Sequence, residues 1–286
     1  MVGVLGVGAV GGALAVRLSL AGHRVICLAR VETAAAIARE GLVLEWAGQT
    51  LRVRPEAAER LAEPVDLLLV AVKAPDLDAA LDRVESPPTV VLPLLNGLEH
   101  VEVIRARLGR RVAAGSIGRF EAYRDGPARI VQTTESAVVT MASADLSRDD
   151  LERAAAILES AGIEVRIGES EKAVLWEKAA RLAPLAALTA AAQRPVGELR
   201  DDPALRAAVE EASAVAAANG APTAPAAQWA IIDAMAGSLT TSTARDVAAG
   251  RPSELDAIVG AVVRAGRRLG VPCPTLEELL ERCRAQ

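Results

Sequence analysis

The first twenty residues constrain the fold more than any other part of the chain. Residues 2–6 (VGVLG) form a short apolar run typical of a buried parallel strand, and Gly6-Val7-Gly8-Ala9-Val10-Gly11 continues it as a GxGxxG pattern. A helix is predicted from Gly8 to about Leu20. In such a turn the first glycine permits the tight bend, the second lets the backbone approach a pyrophosphate, and the third lets helix and strand pack closely. All six loop residues are therefore predicted to bind a dinucleotide.

The rest of the chain extends this pattern and then changes character. Further strands are predicted at 25–29, 66–72 and 89–92, with helical stretches between them. This alternation indicates a doubly wound parallel sheet. After a last strand at 164–167 the chain is helical and rich in Ala, Leu, Glu and Arg. We therefore predict an α/β Rossmann domain over residues 1–168, followed by an all-helical domain over residues 169–286.

The residue at the end of the second strand predicts which dinucleotide binds. An acidic residue there would bind the ribose hydroxyl of NAD, whereas an arginine suits the additional phosphate of NADP. Arg30 occupies this position, and its planar guanidinium can hold a phosphate through two hydrogen bonds. Glu32 could take the hydroxyl role if the loop turned sharply. We predict NADP as the cofactor.

Two other strand ends carry polar residues. Lys73 follows the strand at 66–72, and Asn96 follows the strand at 89–92. Ligands bind at the carboxyl edge of a doubly wound sheet, where both residues would lie. Lys73 could reach a cofactor phosphate or ribose, and Asn96 could hydrogen-bond the nicotinamide or a substrate carbonyl. Each would be ordinary turn chemistry on its own.

Composition excludes several classes of function. The net charge is −5 and aromatic residues make up 2%, which leaves neither a basic patch nor stacking platforms for nucleic acid. Two histidines and three scattered cysteines predict neither a metal site nor a disulfide framework. Nothing basic precedes the apolar start, and no uninterrupted apolar run of about 20 residues occurs. We expect a cytoplasmic protein with no nucleic-acid or membrane partner.

Several motifs together resemble the ketopantoate reductases (2-dehydropantoate 2-reductases). They are GVGAVGG at the start, Arg30, VKA at 72–74, LNG at 95–97, WEK at 176–178 and SELD at 253–256. The resemblance covers nearly the whole chain. It implies a Rossmann domain and a helical domain with the active site in the cleft between them. It also implies NADPH-dependent reduction of a 2-keto acid to a 2-hydroxy acid, a step of pantothenate biosynthesis.

The resemblance also implies roles for single residues. Lys178 matches the catalytic lysine that donates the proton, and Glu254 matches a glutamate of the active-site cleft. Asn96 matches an asparagine near substrate and nicotinamide, and Ser242 matches a serine that binds substrate. Lys73 matches the lysine of the strand-end motif.

Three substrate-binding asparagines of the family are replaced here. Four and eight residues after Lys178, on the same helix face, this chain has Leu182 and Ala186, and the third position is Val196. Loss of these amides predicts a substrate that differs from ketopantoate and is more apolar. Pro184 is expected to remove a backbone hydrogen bond and kink the helix. Three arginines are possible replacement carboxylate binders, and the sequence does not select among Arg181, Arg194 and Arg245.

Alternatives to this function and assembly remain open at this point. The chain could be a related hydroxyacid reductase, an imine reductase acting on a C=N bond, or a non-catalytic NADP-binding redox sensor. Apolar stretches at 207–217 and 258–269 could form a homodimer interface or could simply be core.

Overall fold

The computed structural model describes residues 1–285, which form two compact units. Unit 1 consists of Met1–Leu95 and His100–Glu171, and unit 2 consists of Asn96–Glu99 and the chain from Lys172 onward. The first unit thus ends at Glu171 rather than at 168, and a four-residue loop within its sequence range belongs to unit 2.

The strands all lie in unit 1. They are Val2–Leu5 (β1), Val25–Leu28 (β2), Leu42–Trp46 (β3), Gln49–Val53 (β4), Glu56–Ala58 (β5), Leu67–Val70 (β6), Val90–Pro93 (β7), Ala114–Gly118 (β8), Ala122–Arg124 (β9), Arg129–Gln132 (β10), Val138–Ala142 (β11) and Glu164–Ile167 (β12).

The helices are divided between the units. Unit 1 contains Ala9–Leu20 (α1), Val31–Glu40 (α2), Leu77–Leu81 (α3), His100–Leu108 (α4) and Arg148–Ser160 (α5). The helix Glu171–Ala192 (α6) starts at the last residue of unit 1. Unit 2 continues with Val196–Leu199 (α7), Pro203–Ala218 (α8), Pro225–Asp233 (α9), Ser242–Ala248 (α10), Ala261–Leu269 (α11) and Pro274–Arg284 (α12).

The central sheet of unit 1 has the order β5-β2-β1-β6-β7, and all its strands are parallel. Strands β1, β2, β6 and β7 are buried along their whole length, which explains why their sequences are continuous apolar runs rather than alternating ones. The strand order reverses direction between β1 and β6. This reversal is the topological switch point at which such sheets bind ligands, and it confirms the predicted Rossmann domain.

Two smaller sheets complete unit 1, and their strands β8, β9, β10 and β11 were not predicted from the sequence. One has the order β4-β3-β10-β9 and the other β12-β11-β8. Helix α1 is held against this region by a buried cation: Arg17 lies 4.4 Å from the centroid of the Trp46 ring and donates to the carbonyls of Ala161 (3.1 Å) and Gly162 (2.7 Å). Such contacts fix the helix whose first turn carries the glycine pattern.

Unit 2 is helical, as predicted. Its core is rich in alanine along α6, and these small side chains let neighbouring helices pack closely. Pro184 is buried inside α6, and the helix continues beyond it to Ala192. The apolar residues of the stretches 207–217 and 258–269 are mostly buried in this same core, so their composition is explained without a second subunit. Among the helices of residues 1–285, none combines the length and apolar character needed to cross a bilayer.

Candidate active site

The glycines of the loop after β1 have distinct steric roles. Gly6 has a φ of +98°, and a Cβ there would lie 2.8 Å from the backbone nitrogen of Val72 in the loop after β6. A Cβ on Gly11 would overlap the carbonyl oxygen of Gly6. Only glycine fits either place, so the first and last glycines let the two loops of the switch point and the start of α1 pack together.

Gly8, by contrast, faces open space. A Cβ there would meet only the carbonyl oxygen of Ala71, at 4.0 Å. Gly8 is also the N-cap of α1, where no side chain caps the helix. The first backbone N–H groups of a helix lack intrahelical acceptors and favour anions. A side chain at Gly8 would fill this cradle, so the loop fits the pyrophosphate of a dinucleotide.

The other residues of this region either offer only their backbone to a ligand or lie at the same edge of the central sheet. The side chain of Val7 is buried in the core of unit 1, so only its backbone is available to a ligand. Ala9 and Val10 are half-buried in the first turn of α1. Lys73 is exposed and precedes a 3₁₀ turn at Ala74–Asp76, directly after the β6 loop. The structure therefore brings Lys73 and the glycine loop to one edge of the sheet.

Arg30 lies at the end of β2, as predicted, and is the N-cap of α2. Its side chain is 77% exposed and pairs with Asp76 at 2.7 Å. Arg83 is close by, because it donates to the carbonyl of Ala29 at 2.6 Å. Burial, together with the positive charges of Arg30 and Arg60, lowers the pKa of the Arg83 guanidinium against the attraction of Glu59. Three arginines thus lie near this strand end, and two of them are in ion pairs, Arg30 with Asp76 and Arg60 with Glu85.

Glu32, which could have bound a ribose hydroxyl, is exposed in the first turn of α2. Asp76 and Arg83 were not singled out from the sequence. Both come from the segment after β6, and only the parallel pairing of β6 with β1 brings that segment to the same edge as β2.

In unit 2, Asn96 and Glu254 are joined by a hydrogen bond. The amide of Asn96 donates to Oε2 of Glu254 at 3.3 Å, and Glu254 is only 8% exposed. The neighbouring Gly97 has a φ of +102°, and a Cβ there would overlap the carbonyl oxygen of Ala257. This close approach seats the loop against the segment that follows Glu254.

That segment, Asp256–Gly260, is a turn of π-helix between Glu254 and α11. Such turns are rare and are often found at functional sites. Here it presents the carbonyl against which Gly97 packs. Neither the π-turn nor the role of Gly97 was predicted, although the glycine of the LNG motif was a signal for an unusual backbone.

Lys178 lies near this pair on α6 and is half-buried. Burial of its ammonium group lowers the pKa of Lys178 to about 8. The negative charge of Glu254 opposes this shift, and the positive charge of Arg181 adds to it. The structure thus brings together three residues that the resemblance singled out, Lys178, Glu254 and Asn96, within unit 2.

Arg181 is the one of three candidate arginines that lies in this neighbourhood. It follows Lys178 by one helical turn, is half-buried, and donates to Oε1 of Gln228 at 2.8 Å. Arg194 is exposed and pairs with Glu198, and Arg245 is exposed and donates to the carbonyl of Thr240. Gln228, on α9, is 3% exposed and was not singled out from the sequence.

The positions that replace the family asparagines are apolar and packed. Leu182 is half-buried against the core of unit 2, and Ala186 and Val196 are fully buried in it. Ser242 is exposed in the first turn of α10, where Thr241 is the N-cap.

Metal-ligating residues are not clustered in the part of the chain that the structure describes. Within residues 1–285, no group of three or more His, Cys, Asp or Glu side chains is arranged to hold a metal ion.

Comparison with known proteins places these features in a family. A family model described as ketopantoate reductase PanE/ApbA matches residues 2–145, and one described as ketopantoate reductase PanE/ApbA C terminal matches residues 172–286. The chain belongs to the ketopantoate reductase family. As a member it is an oxidoreductase that acts on a CH–OH group and the corresponding carbonyl, of the 2-keto acid reductase type.

Relatives with this function cover nearly the whole chain. The 2-dehydropantoate 2-reductase of Caulobacter vibrioides is 32% identical over 289 residues, which span 96% of this chain and 94% of the relative. The 2-dehydropantoate 2-reductase of Archaeoglobus fulgidus is 26% identical over 97% of this chain and 94% of its own length.

Solved structures show the same fold. A ketopantoate reductase family protein from Ralstonia eutropha JMP134 is 30% identical, with a TM-score of 0.88 over 99% of this chain and 97% of its own. D-mandelate dehydrogenase, solved with NADH and anilino(oxo)acetate, has a TM-score of 0.90 over 99% and 97% of the two chains. Its 21% identity shows likeness of fold alone.

Proposed function

We propose that this protein uses NADPH to reduce the carbonyl of a 2-keto acid to a 2-hydroxy acid, with Lys178 as the proton donor. The observation that carries the proposal is the enclosed ammonium of Lys178, whose pKa is lowered to about 8 by burial while the buried carboxylate of Glu254 opposes the shift. A general acid works best when its pKa lies near the working pH.

The chemistry divides between the cofactor and the residues of unit 2. When bound, the reduced nicotinamide supplies a hydride to the carbonyl carbon. Negative charge then develops on the carbonyl oxygen, and Lys178 stabilises it and donates the proton. Glu254 favours the protonated form of Lys178. Asn96 is oriented by its bond to Glu254 and keeps a second amide hydrogen and its oxygen for the substrate.

The preference for NADP rests on the charge at the end of β2. Arg30 is exposed there, and Arg83 and Arg60 lie close enough for their charges to affect one another. A phosphate on the ribose carries charge that such a cluster attracts. The ion pair of Arg30 with Asp76 has to rearrange when that phosphate binds. NADH, which is present in the structure of D-mandelate dehydrogenase, is the alternative.

The substrate is proposed to be more apolar than ketopantoate. The amides that bind polar groups of ketopantoate in the family are replaced by Leu182, Ala186 and Val196, and the last two are sealed in the core. A place in pantothenate biosynthesis, which requires ketopantoate itself, is therefore the alternative to this more apolar substrate. Anilino(oxo)acetate, which is bound with NADH in the structure of D-mandelate dehydrogenase, is an oxamate whose carboxylate, adjacent amide carbonyl and aromatic ring resemble those of an aryl 2-keto acid, the class of substrate that we propose.

We also propose a cytoplasmic location, where the small soluble acids of this class would be available. The three cysteines are free and buried, in keeping with a reducing compartment. A homodimer remains a prediction. The apolar stretches at 207–217 and 258–269 that suggested it are packed in the core of unit 2, so they no longer argue for a second subunit.

Steady-state oxidation of NADPH and NADH tests the proposal directly. The panel contains pyruvate, α-ketoisovalerate, ketopantoate and phenylglyoxylate, with cyclic imines as the comparison for a C=N reductase. We expect turnover with an apolar keto acid and preference for NADPH. Turnover of imines alone would favour an imine reductase, and binding of NADPH without any turnover would favour a redox sensor.

A further inference from the structure

Three apolar replacements leave a 2-keto acid without the amides that would hold it, yet its carboxylate still needs a partner. We propose that Arg181 binds the carboxylate of the substrate and that Gln228 positions the guanidinium of Arg181. This inference rests on the proposed function and adds the residue pair that selects an acid over an uncharged carbonyl compound.

The first argument is placement. Lys178 and Arg181 are three residues apart on α6, so their side chains leave the helix on the same face. The charge of Arg181 is close enough to lower the pKa of Lys178. In a 2-keto acid the carboxylate is bonded directly to the carbonyl carbon. A cation one helical turn from Lys178 is therefore within reach of the carboxylate of a substrate whose carbonyl oxygen faces Lys178.

The second argument is charge. Arg181 is half-buried, and burial lowers the pKa of its guanidinium. Within residues 1–285 it makes no ion pair with a carboxylate, and the exposed Glu177 attracts it only from beyond ion-pair distance. A partly desolvated cation is costly unless an anion compensates it. The carboxylate of a substrate would supply that anion, and a guanidinium binds carboxylates through two parallel hydrogen bonds.

The third argument is that a neutral side chain holds the arginine. Gln228 is 3% exposed and accepts from Nη1 of Arg181 at 2.8 Å. An amide oxygen orients the guanidinium without neutralising its charge, so the remaining N–H groups stay available to a ligand. A glutamate at this position would instead pair with Arg181 and compete with the substrate. Arg194 and Arg245 lack such support, since both are exposed.

The test compares a keto acid with its methyl ester, which removes the charge and keeps the reacting carbonyl. For the keto acid of the panel that the wild type reduces fastest, Arg181→Ala is expected to raise KM about 10- to 100-fold, the range of one charge-assisted interaction, with kcat changed much less. KM for the methyl ester should stay within about twofold. Arg181→Lys keeps a charge without the fork and should give an intermediate KM for the acid.

Two further variants complete the test. Gln228→Glu should raise KM for the acid and not for the ester, which a purely structural role of Gln228 would not produce. Arg194→Ala is the matched control and should leave both KM values unchanged. An unchanged KM for the acid in Arg181→Ala, or equal changes for acid and ester, would overturn the assignment.

Failure of the proposed function gives a different result. If the wild type reduces no keto acid with either nicotinamide, calorimetry with oxamate and the NADPH-saturated protein replaces the kinetic assay. Loss of oxamate binding in Arg181→Ala would then still support the carboxylate site. Equal affinity in the two proteins, or no binding to the wild type, would refute it.

Discussion

The amide of Asn96 donates to the buried carboxylate of Glu254 at 3.3 Å, although 158 positions of sequence separate the two residues. The bond joins the loop after β7 to the segment before the π-turn. The same carboxylate acts on Lys178 and opposes the lowering of its pKa. Glu254 thus connects Asn96, through a hydrogen bond, with Lys178, through its charge, and these are the residues that we propose to bind the substrate and to donate the proton.

The rate of carbonyl reduction should fall as the pH rises through about 8. Reduction needs the protonated form of Lys178, and burial lowers the pKa of that lysine to about 8. The fraction of active enzyme therefore decreases above this pH, and the reverse oxidation of the hydroxy acid should increase over the same range. Profiles of kcat against pH in both directions measure this. A reduction rate that stayed flat to well above pH 8 would contradict Lys178 as the acid.

Glu254→Gln should move this alkaline limb to lower pH. The substitution keeps the shape of the side chain and an oxygen that can accept from Asn96, but it removes the charge that favours protonated Lys178. The expected result is a lower apparent pKa in the profile of the reduction rate against pH. Relative to the wild type, the variant should lose less rate at acidic pH than at alkaline pH. Glu210→Gln, at an exposed position on α8, is the control and should leave the profile unchanged.

Gly97→Ala should weaken both folding and catalysis. The residue has a φ of +102°, and an added methyl would overlap the carbonyl oxygen of Ala257. We expect a loss of about 1–3 kcal/mol in the free energy of unfolding, the usual cost of a strained backbone, and a lower kcat because Asn96 shifts. Urea titration and kcat measure the two effects.

Gly109→Ala is the matched control for this variant. Gly109 also has a positive φ, +81°, but a Cβ there would meet nothing within 4 Å. It should therefore lose stability from the backbone alone and keep its kcat. Equal effects of the two substitutions on kcat would show that the contact with Ala257 is irrelevant to the site.

The Rossmann sheet and the glycine loop could be predicted from local sequence. Strands buried on both faces are continuous apolar runs, and the loop glycines have steric roles that recur wherever a strand turns directly into a helix. Most of the two smaller sheets escaped prediction. Strand β9, for example, is only three residues long and is half-buried or exposed, so its sequence carries no clear periodicity.

The site was predicted unevenly for a related reason. Lys178, Asn96 and Glu254 were found through motifs, and the structure brings them together. Gln228 and Asp76 matter because of what lies beside them in space, and no local pattern marks such residues. Arg181 was one of three equal candidates until its burial and its bond to Gln228 distinguished it from Arg194 and Arg245.

Arg30→Ala should reduce the preference for NADPH. The guanidinium at the end of β2 is proposed to bind the ribose phosphate, and its loss should raise KM for NADPH about 10- to 100-fold while KM for NADH changes little. Arg39→Ala, an exposed arginine of α2 that pairs with Glu40, is the control. Wild-type enzyme with equal affinity for the two cofactors, or parallel changes in both KM values, would contradict the proposed role.

Replacement of Lys178 tests the central claim most directly. Lys178→Ala is compared with Lys172→Ala, which removes an exposed lysine from the same helix. Single-turnover reduction of a keto acid and the Kd of NADPH are measured for both. The account predicts a rate about 10²- to 10⁴-fold lower in Lys178→Ala, with the Kd of NADPH unchanged and Lys172→Ala like the wild type. A rate within a few-fold of the wild type in Lys178→Ala would contradict it.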